Sequence, residues 1–176
     1  MVLLDLDIRK GTLSHNYGKR SEGVTNFIID ESLSVDDVIH KNEGHPDIVT
    51  AGSPAPNPAE LLMDQRLDVL VEGLKERYDY IIADSVPAGM VADAAISARV
   101  ADLTVFVIRA GRLDKRQLPD IEAMYQEKKF NNLAVVMNGV EYHSRGYGYG
   151  YGYGYGYGYG HGYGYGYIHK KSDKKK

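Results

Sequence analysis

Cysteine is absent from the 176 residues, which excludes a disulfide framework, a thiolate metal centre and a cysteine nucleophile. That absence fits a reducing compartment. Tryptophan is missing too, and there are only 3 phenylalanines. No stretch reaches the roughly 18 consecutive apolar residues that a membrane-spanning helix needs. The opening residues Met1-Val2-Leu3-Leu4-Asp5 lack the basic region and long apolar stretch of a signal peptide, so none is expected.

What is present suits one globular domain with an appendage: 43% of residues are hydrophobic and 26% charged, enough to bury a core. The 15 tyrosines are unevenly placed. Ten fall between residues 147 and 167, and eleven of the 20 glycines between residues 146 and 166. Charge is uneven as well. The last thirty residues carry five lysines and one acid, Asp173, a net +4, so a whole-chain charge of −3 leaves −7 on the rest. An acidic body argues against nucleic-acid binding. The small basic end could favour an acidic membrane surface, although a solvated tail is the preferred reading.

Residues 2–7 form a short apolar run ending in acids, the pattern of a buried strand. Residues 11–46 alternate Gly, Ser and Asn with apolar groups and predict loops and small helices. Within them Ser34 and Asp37 suit a capping box for a turn through Ile39. Residues 48–51 predict a second strand. Pro54, Pro56 and Pro58 then impose an extended loop, because proline fixes φ and restricts the residue before it. Residues 59–77 change to a helical period, with Leu62, Leu67, Val69, Leu70 and Leu74 as the apolar stripe. Further strands are predicted over 80–83, 103–108 and 133–137, and helices over 90–99 and 114–128. Strands alternating with helices imply right-handed crossovers and a parallel sheet. The predicted class is α/β, with functional residues at the carboxyl ends of strands.

The alternation stops after Asn138, and residues 1–140 are read as the α/β domain and 141–176 as a Tyr/Gly-rich tail with a lysine-rich end. Half of the repeat is glycine, which maximises the entropy cost of ordering it, so a disordered tail is expected. An extended Gly-Tyr repeat would also put every tyrosine on one face, a pattern able to stack as β-structure.

The strand ends hold the chemistry. Asp5 and Asp7 are two apart, so an extended chain projects both carboxylates from one face, with Arg9 following at the same spacing. Like charges that close require a cation or a proton between them. Asp84 ends another buried apolar run, the usual position for a carboxylate that holds hydrated Mg²⁺ in α/β nucleotide enzymes. One such aspartate is most often a plain strand-to-loop transition; three in one fold are a stronger signal. His40, His45 and His143 lack metal-ligand spacing, and Ser53 lacks the flanking glycines of a hydrolase elbow. Tyr78, Tyr80 and Tyr125 are expected to be packing residues.

Leu3-Leu4-Asp5-Leu6-Asp7-Ile8-Arg9 resembles the second Walker A-like motif of the bacterial tyrosine autokinases of capsule and exopolysaccharide synthesis. Tyr80-Ile81-Ile82-Ala83-Asp84-Ser85-Val86-Pro87 is similar to their Walker B segment, and Pro56-Asn57-Pro58-Ala59-Glu60-Leu61-Leu62 to their PNPxELL stretch. The tyrosine-rich end resembles their autophosphorylated cluster. The resemblance implies a P-loop NTPase-like fold of the deviant-Walker type, ATP and Mg²⁺ as cofactors, and Asp5, Asp7 and Asp84 as catalytic residues. Asp5 would orient or deprotonate the attacking phenol, and Asp7 and Asp84 would hold the metal. Arg9 would face the cofactor, as would Asn138, which sits where related ATPases read adenine; Asn138-Gly139 is equally an ordinary turn. The implied phosphoacceptors are Tyr147, Tyr149, Tyr151, Tyr153, Tyr155, Tyr157, Tyr159, Tyr163, Tyr165 and Tyr167. The implied partners are neighbouring kinase subunits and a membrane chain-length regulator of polysaccharide export, at the inner face of the cell membrane.

In that family a P-loop strand precedes the strand of Asp5, and this sequence opens on the latter. Gly18-Lys19-Arg20 is no substitute, because Leu13 and Arg20 stand where a P-loop has Gly and Ser/Thr. The expectation is a C-terminal portion without the P-loop, weak in Mg-ATP binding alone, with apolar strand edges left unpaired. Two other readings are a MinD/ParA-like ATPase, which the tyrosine cluster disfavours, and a non-catalytic interaction protein with a self-associating tail.

Overall fold

A strand flanked on both sides by parallel neighbours is buried on both faces and reads as a continuous apolar run. Val2–Asp5 (β1) meets that requirement. It pairs in parallel with Asp47–Val49 (β2) on one side and Ile81–Asp84 (β3) on the other. The computed structural model describes residues 1–18, 22–87 and 93–140. The lysine and arginine of Gly18-Lys19-Arg20, His143 and the ten candidate acceptor tyrosines lie outside the described residues, as does the start of the helix predicted over 90–99.

Between β1 and β2 the chain forms Thr12–Asn16 (α1), Val24–Ile29 (α2) and a 3₁₀ turn at Asp36–Val38. Ser34 donates to the Asp37 carboxylate through its backbone N–H at 2.8 Å and its hydroxyl at 2.5 Å, the predicted capping pair. Between β2 and β3 lie Pro58–Met63 (α3) and Gln65–Lys75 (α4). A single helix over 59–77 is therefore incorrect. Asp64 is extended (ψ 142°) and accepts from Arg66 N–H at 2.8 Å, capping α4 as a new helix. The break resets the helical phase. Leu67, Leu70, Val71 and Leu74 face the core at i, i+3, i+4 and i+7, while Val69 is exposed.

The main core joins β1 to α2 and α4 through Val2, Leu4, Leu6, Val24, Phe27, Leu67, Leu70 and Leu74. Two arginines stitch its helices. Arg66 donates to the carbonyls of Phe27 at 2.8 Å and Asp30 at 3.1 Å, closing the end of α2. Arg99 donates to Leu62 O at 3.1 Å and Asp64 O at 2.9 Å at the end of α3, and pairs with Asp68.

The later part carries Asp93–Ser97 (α5), Thr104–Arg109 (β4), Leu118–Gln126 (α6) and Leu133–Asn138 (β5). β4 and β5 pair in parallel as a second, two-stranded sheet. The parallel α/β class is as predicted, but the sheet is divided: among the described residues no ladder joins β3 to β4. The division leaves Ile82, Val105, Val107, Val135, Val136 and Met137 about half exposed, an unusual state for parallel strands. Tyr80 and Tyr125 are exposed too, contrary to the packing role expected of them, because one precedes an edge strand and the other lies on the open face of α6. Tyr78 does pack against the core.

This burial pattern orders the consequences of mutation. Leu4→Ala is expected to cost about 2–5 kcal/mol of unfolding free energy. Val107→Thr should change it by no more than about 0.5 kcal/mol, since its side chain is not enclosed. Urea unfolding of the two variants checks the order.

Candidate active site

Parallel register does the first piece of positioning. β1 and β3 align so that Asp5 lies opposite Asp84. Leu6 N–H then donates to Asp84 O at 2.8 Å, carrying the pairing one residue past β1. At Asp7 the chain turns, with Lys10 and Gly11 N–H donating to Asp7 O at 3.2 and 2.6 Å. Gly11 has φ 57°, in the left-handed region that favours glycine. A side chain there would also meet Ala51 Cβ at 3.4 Å and Asp5 Oδ2 at 3.8 Å.

Asp5 is fully buried, and both carboxylate oxygens are engaged. Oδ1 accepts from Asp7 N–H at 3.1 Å. Oδ2 accepts from Ser14 N–H at 2.8 Å and from the Ser14 hydroxyl at 2.5 Å. Ser14 Oγ in turn accepts from Ala51 N–H at 2.8 Å. One carboxylate thus ties the end of β1 to α1 and to the segment leaving β2. In this arrangement Asp5 anchors the turn that carries Asp7.

Asp7 and Asp84 differ from it. Asp7 is nearly buried and accepts Lys10 N–H at 3.2 Å. Asp84 is solvent-accessible, and among the described residues no hydrogen bond reaches its carboxylate. Partial burial, followed by the charges of Asp5 and Asp7, holds its pKa above the ordinary aspartate value. The three aspartates predicted from sequence therefore do converge. Among the described residues no three His, Cys, Asp or Glu side chains form a metal-ligand group. With Asp5 consumed, the donor set that remains is two carboxylates. That set suits a hard cation which takes oxygen ligands and keeps most of its waters.

Arg9 pairs with Asp93 at the start of α5 through Nε and, at 3.2 Å, through Nη2. Asn138 ends β5, in the other sheet, where its carbonyl accepts Ala110 N–H at 2.9 Å. Tyr78 donates to Asp47 at 2.6 Å and accepts from Lys41 at 2.9 Å, which ties up its phenol. Ser14 and Asp93 were not picked out from the sequence. Nothing local marks Ser14. Asp93 does carry a signal, since an acid on a helix of small residues bound for burial requires a cationic partner.

One similar protein is the tyrosine-protein kinase YwqD of Bacillus subtilis (strain 168). It is 35% identical over 140 residues, which are 79% of this chain and 59% of the relative. Over that stretch the chain is similar to named bacterial tyrosine kinases. The solved kinase domain of the Escherichia coli tyrosine kinase ETK superposes with TM-score 0.71 at 29% identity, covering 85% of this chain and 60% of that one. MinD from Pyrococcus horikoshii, solved with Mg-ADP, aligns at TM-score 0.56 and 18% identity over 75% of this chain and 54% of its own, a likeness of fold alone. No protein-family model matches the chain. The chain spans about three-fifths of the length of the Bacillus and Streptococcus kinases it matches, and about one fifth of the Klebsiella and Escherichia coli ones.

Two outcomes follow from the geometry. Ser14→Ala leaves a buried carboxylate short of a donor and should cost about 1–3 kcal/mol in urea unfolding. Asp84 carries a raised folded pKa, so its contribution to stability is full below the ordinary aspartate range and is lost as pH rises through the folded value. Asp84→Asn should therefore raise the urea midpoint at neutral pH, with the advantage vanishing in acid.

Proposed function

We propose that the chain is part of a cytoplasmic protein-tyrosine autokinase that passes the ATP γ-phosphoryl group to tyrosines of a neighbouring subunit's tail, in control of capsule or exopolysaccharide synthesis. The observation that carries this reading is the β1–β3 register, which sets Asp5 opposite Asp84 with Asp7 just beyond, on a chain whose relatives are named tyrosine kinases. Asp7 and Asp84 would hold Mg²⁺ through its waters. A bound ion would offset phosphate charge, which is the main demand of phosphoryl transfer. Asp5 would fix the loop that carries Asp7. Arg9 stands beside the same cluster, and Asn138 is the candidate for the adenine edge. In the transfer, a phenol oxygen bonds to the γ-phosphorus, the bond to the bridging oxygen breaks and the phenolic proton passes to solvent.

The acceptors in this reading are Tyr147 through the repeat to Tyr167. Each phosphate adds about −1.5 to −2 charges, so several would outweigh the +4 of the tail and set it against the acidic body. The response would then depend on the number of filled sites. The partners would be neighbouring subunits and a membrane chain-length regulator at the inner face of the cell membrane. No helix among the described residues is long and apolar enough to cross a membrane.

Incubation of the pure chain with labelled ATP and Mg²⁺ should give little incorporation, because no P-loop sequence is present to cradle the β- and γ-phosphates. Robust labelling abolished by Asp84→Asn would contradict that. Mixed with an intact kinase relative and mapped by mass spectrometry, the chain should carry phosphotyrosine within residues 147–167. Labelling confined to Tyr17, Tyr78 or Tyr125 would overturn the acceptor-tail reading.

A further inference from the structure

The Arg9–Asp93 pair has an uneven environment. The Asp93 side chain is 3% accessible and that of Arg9 43%. A buried carboxylate is held in place by its surroundings and is costly to leave without a partner. The exposed guanidinium is the end that would move. Arg9 engages Asp93 by two nitrogens, a fork geometry that fixes the plane of the group. The contact spans 84 residues of sequence and joins the turn after β1 to α5.

The other anion that Arg9 feels is Asp7, two residues away, whose charge adds to that of Asp93 in stabilising the guanidinium. Asp7 and the accessible Asp84 also interact with each other. Among the described residues, the carboxylates whose charge acts on Arg9 are Asp93 and Asp7, so a guanidinium released from Asp93 is drawn toward the Asp7–Asp84 pair. A monovalent group seated there would take the oxygen that a divalent cation needs. We propose that Asp93 is a positioning residue that holds the Arg9 guanidinium off the Asp7–Asp84 pair and so keeps that pair open to a divalent cation. The inference rests on the reading of Asp7 and Asp84 as the cation site.

The test is a double-mutant cycle on the full chain, with Mn²⁺ alone as the probe and free Mn²⁺ read by electron paramagnetic resonance. Asp93→Asn should weaken Mn²⁺ binding by about threefold or more, the scale of coupling between groups in direct contact. Arg9→Gln should bind at least as well as the original chain. In the Arg9→Gln background Asp93→Asn should change nothing, and Asp93→Glu should restore binding in the Arg9 chain. Circular dichroism establishes that each variant is folded. Asp93→Ala and Arg9→Ala supply the same cycle where an Asn or Gln variant fails. An equal loss from Asp93→Asn in both backgrounds would mean that Asp93 acts through its own charge and would overturn the proposal, leaving the cation site intact. Mn²⁺ uptake that is absent, or insensitive to Asp84→Asn, would overturn the cation site and the proposal together.

Discussion

Two aspartates brought side by side by a parallel register are the constraint on which the site depends. Hydrogen bonding between β1 and β3 aligns Asp5 with Asp84 whether or not their charges agree. The chain resolves the conflict unequally. Asp5 is buried and accepts hydrogen bonds from three donors, whereas Asp84 keeps an accessible carboxylate whose pKa is raised by partial burial and then by the charges of Asp5 and Asp7. That asymmetry converts a structural cost into a place where a cation is favourable.

The buried half of the pair organises its surroundings. Through Ser14, Asp5 reaches Ala51, and residues 50–53 are themselves interlocked with α2. Val24 N–H donates to Thr50 O at 2.9 Å, and the Thr25 hydroxyl to Ser53 O at 2.7 Å. Gly23 admits this approach, since a Cβ there would lie 2.2 Å from Thr50 O. Loops that leave the carboxyl ends of β1 and β2 are thereby joined into one polar layer. Rigid support of this kind is what a site built on loops requires.

Much of this was legible in the sequence, for physical reasons that differ by element. The strands of Leu4 and Ile48 showed because buried parallel strands are continuous apolar runs, and that of Ile82 has the same apolar run although it is half exposed. The convergence of Asp5, Asp7 and Asp84 followed from strand polarity. The break at Asp64 was hidden, because an N-cap aspartate inside an otherwise periodic stretch looks like one more polar position. Burial of Asp5 was hidden as well, because its donor Ser14 lies on a five-residue helix without any pattern of its own. The exposure of Val105 and Val107 could not be read from composition, since apolar strand residues are written alike whether covered or open. The partner of Arg9 could not be read locally, because Asp93 lies 84 residues along the chain.

The central claim is that partial burial and the charges of Asp5 and Asp7 leave Asp84 a carboxylate that a divalent cation stabilises. Carboxyl carbon NMR of Asp84 during a pH titration measures this directly. Asp84 should titrate above the ordinary aspartate value, and the titration should move down on substitution Asp7→Asn and on addition of Mg²⁺. An Asp84 that titrates as an ordinary exposed aspartate, indifferent to Asp7 and to Mg²⁺, would contradict the account.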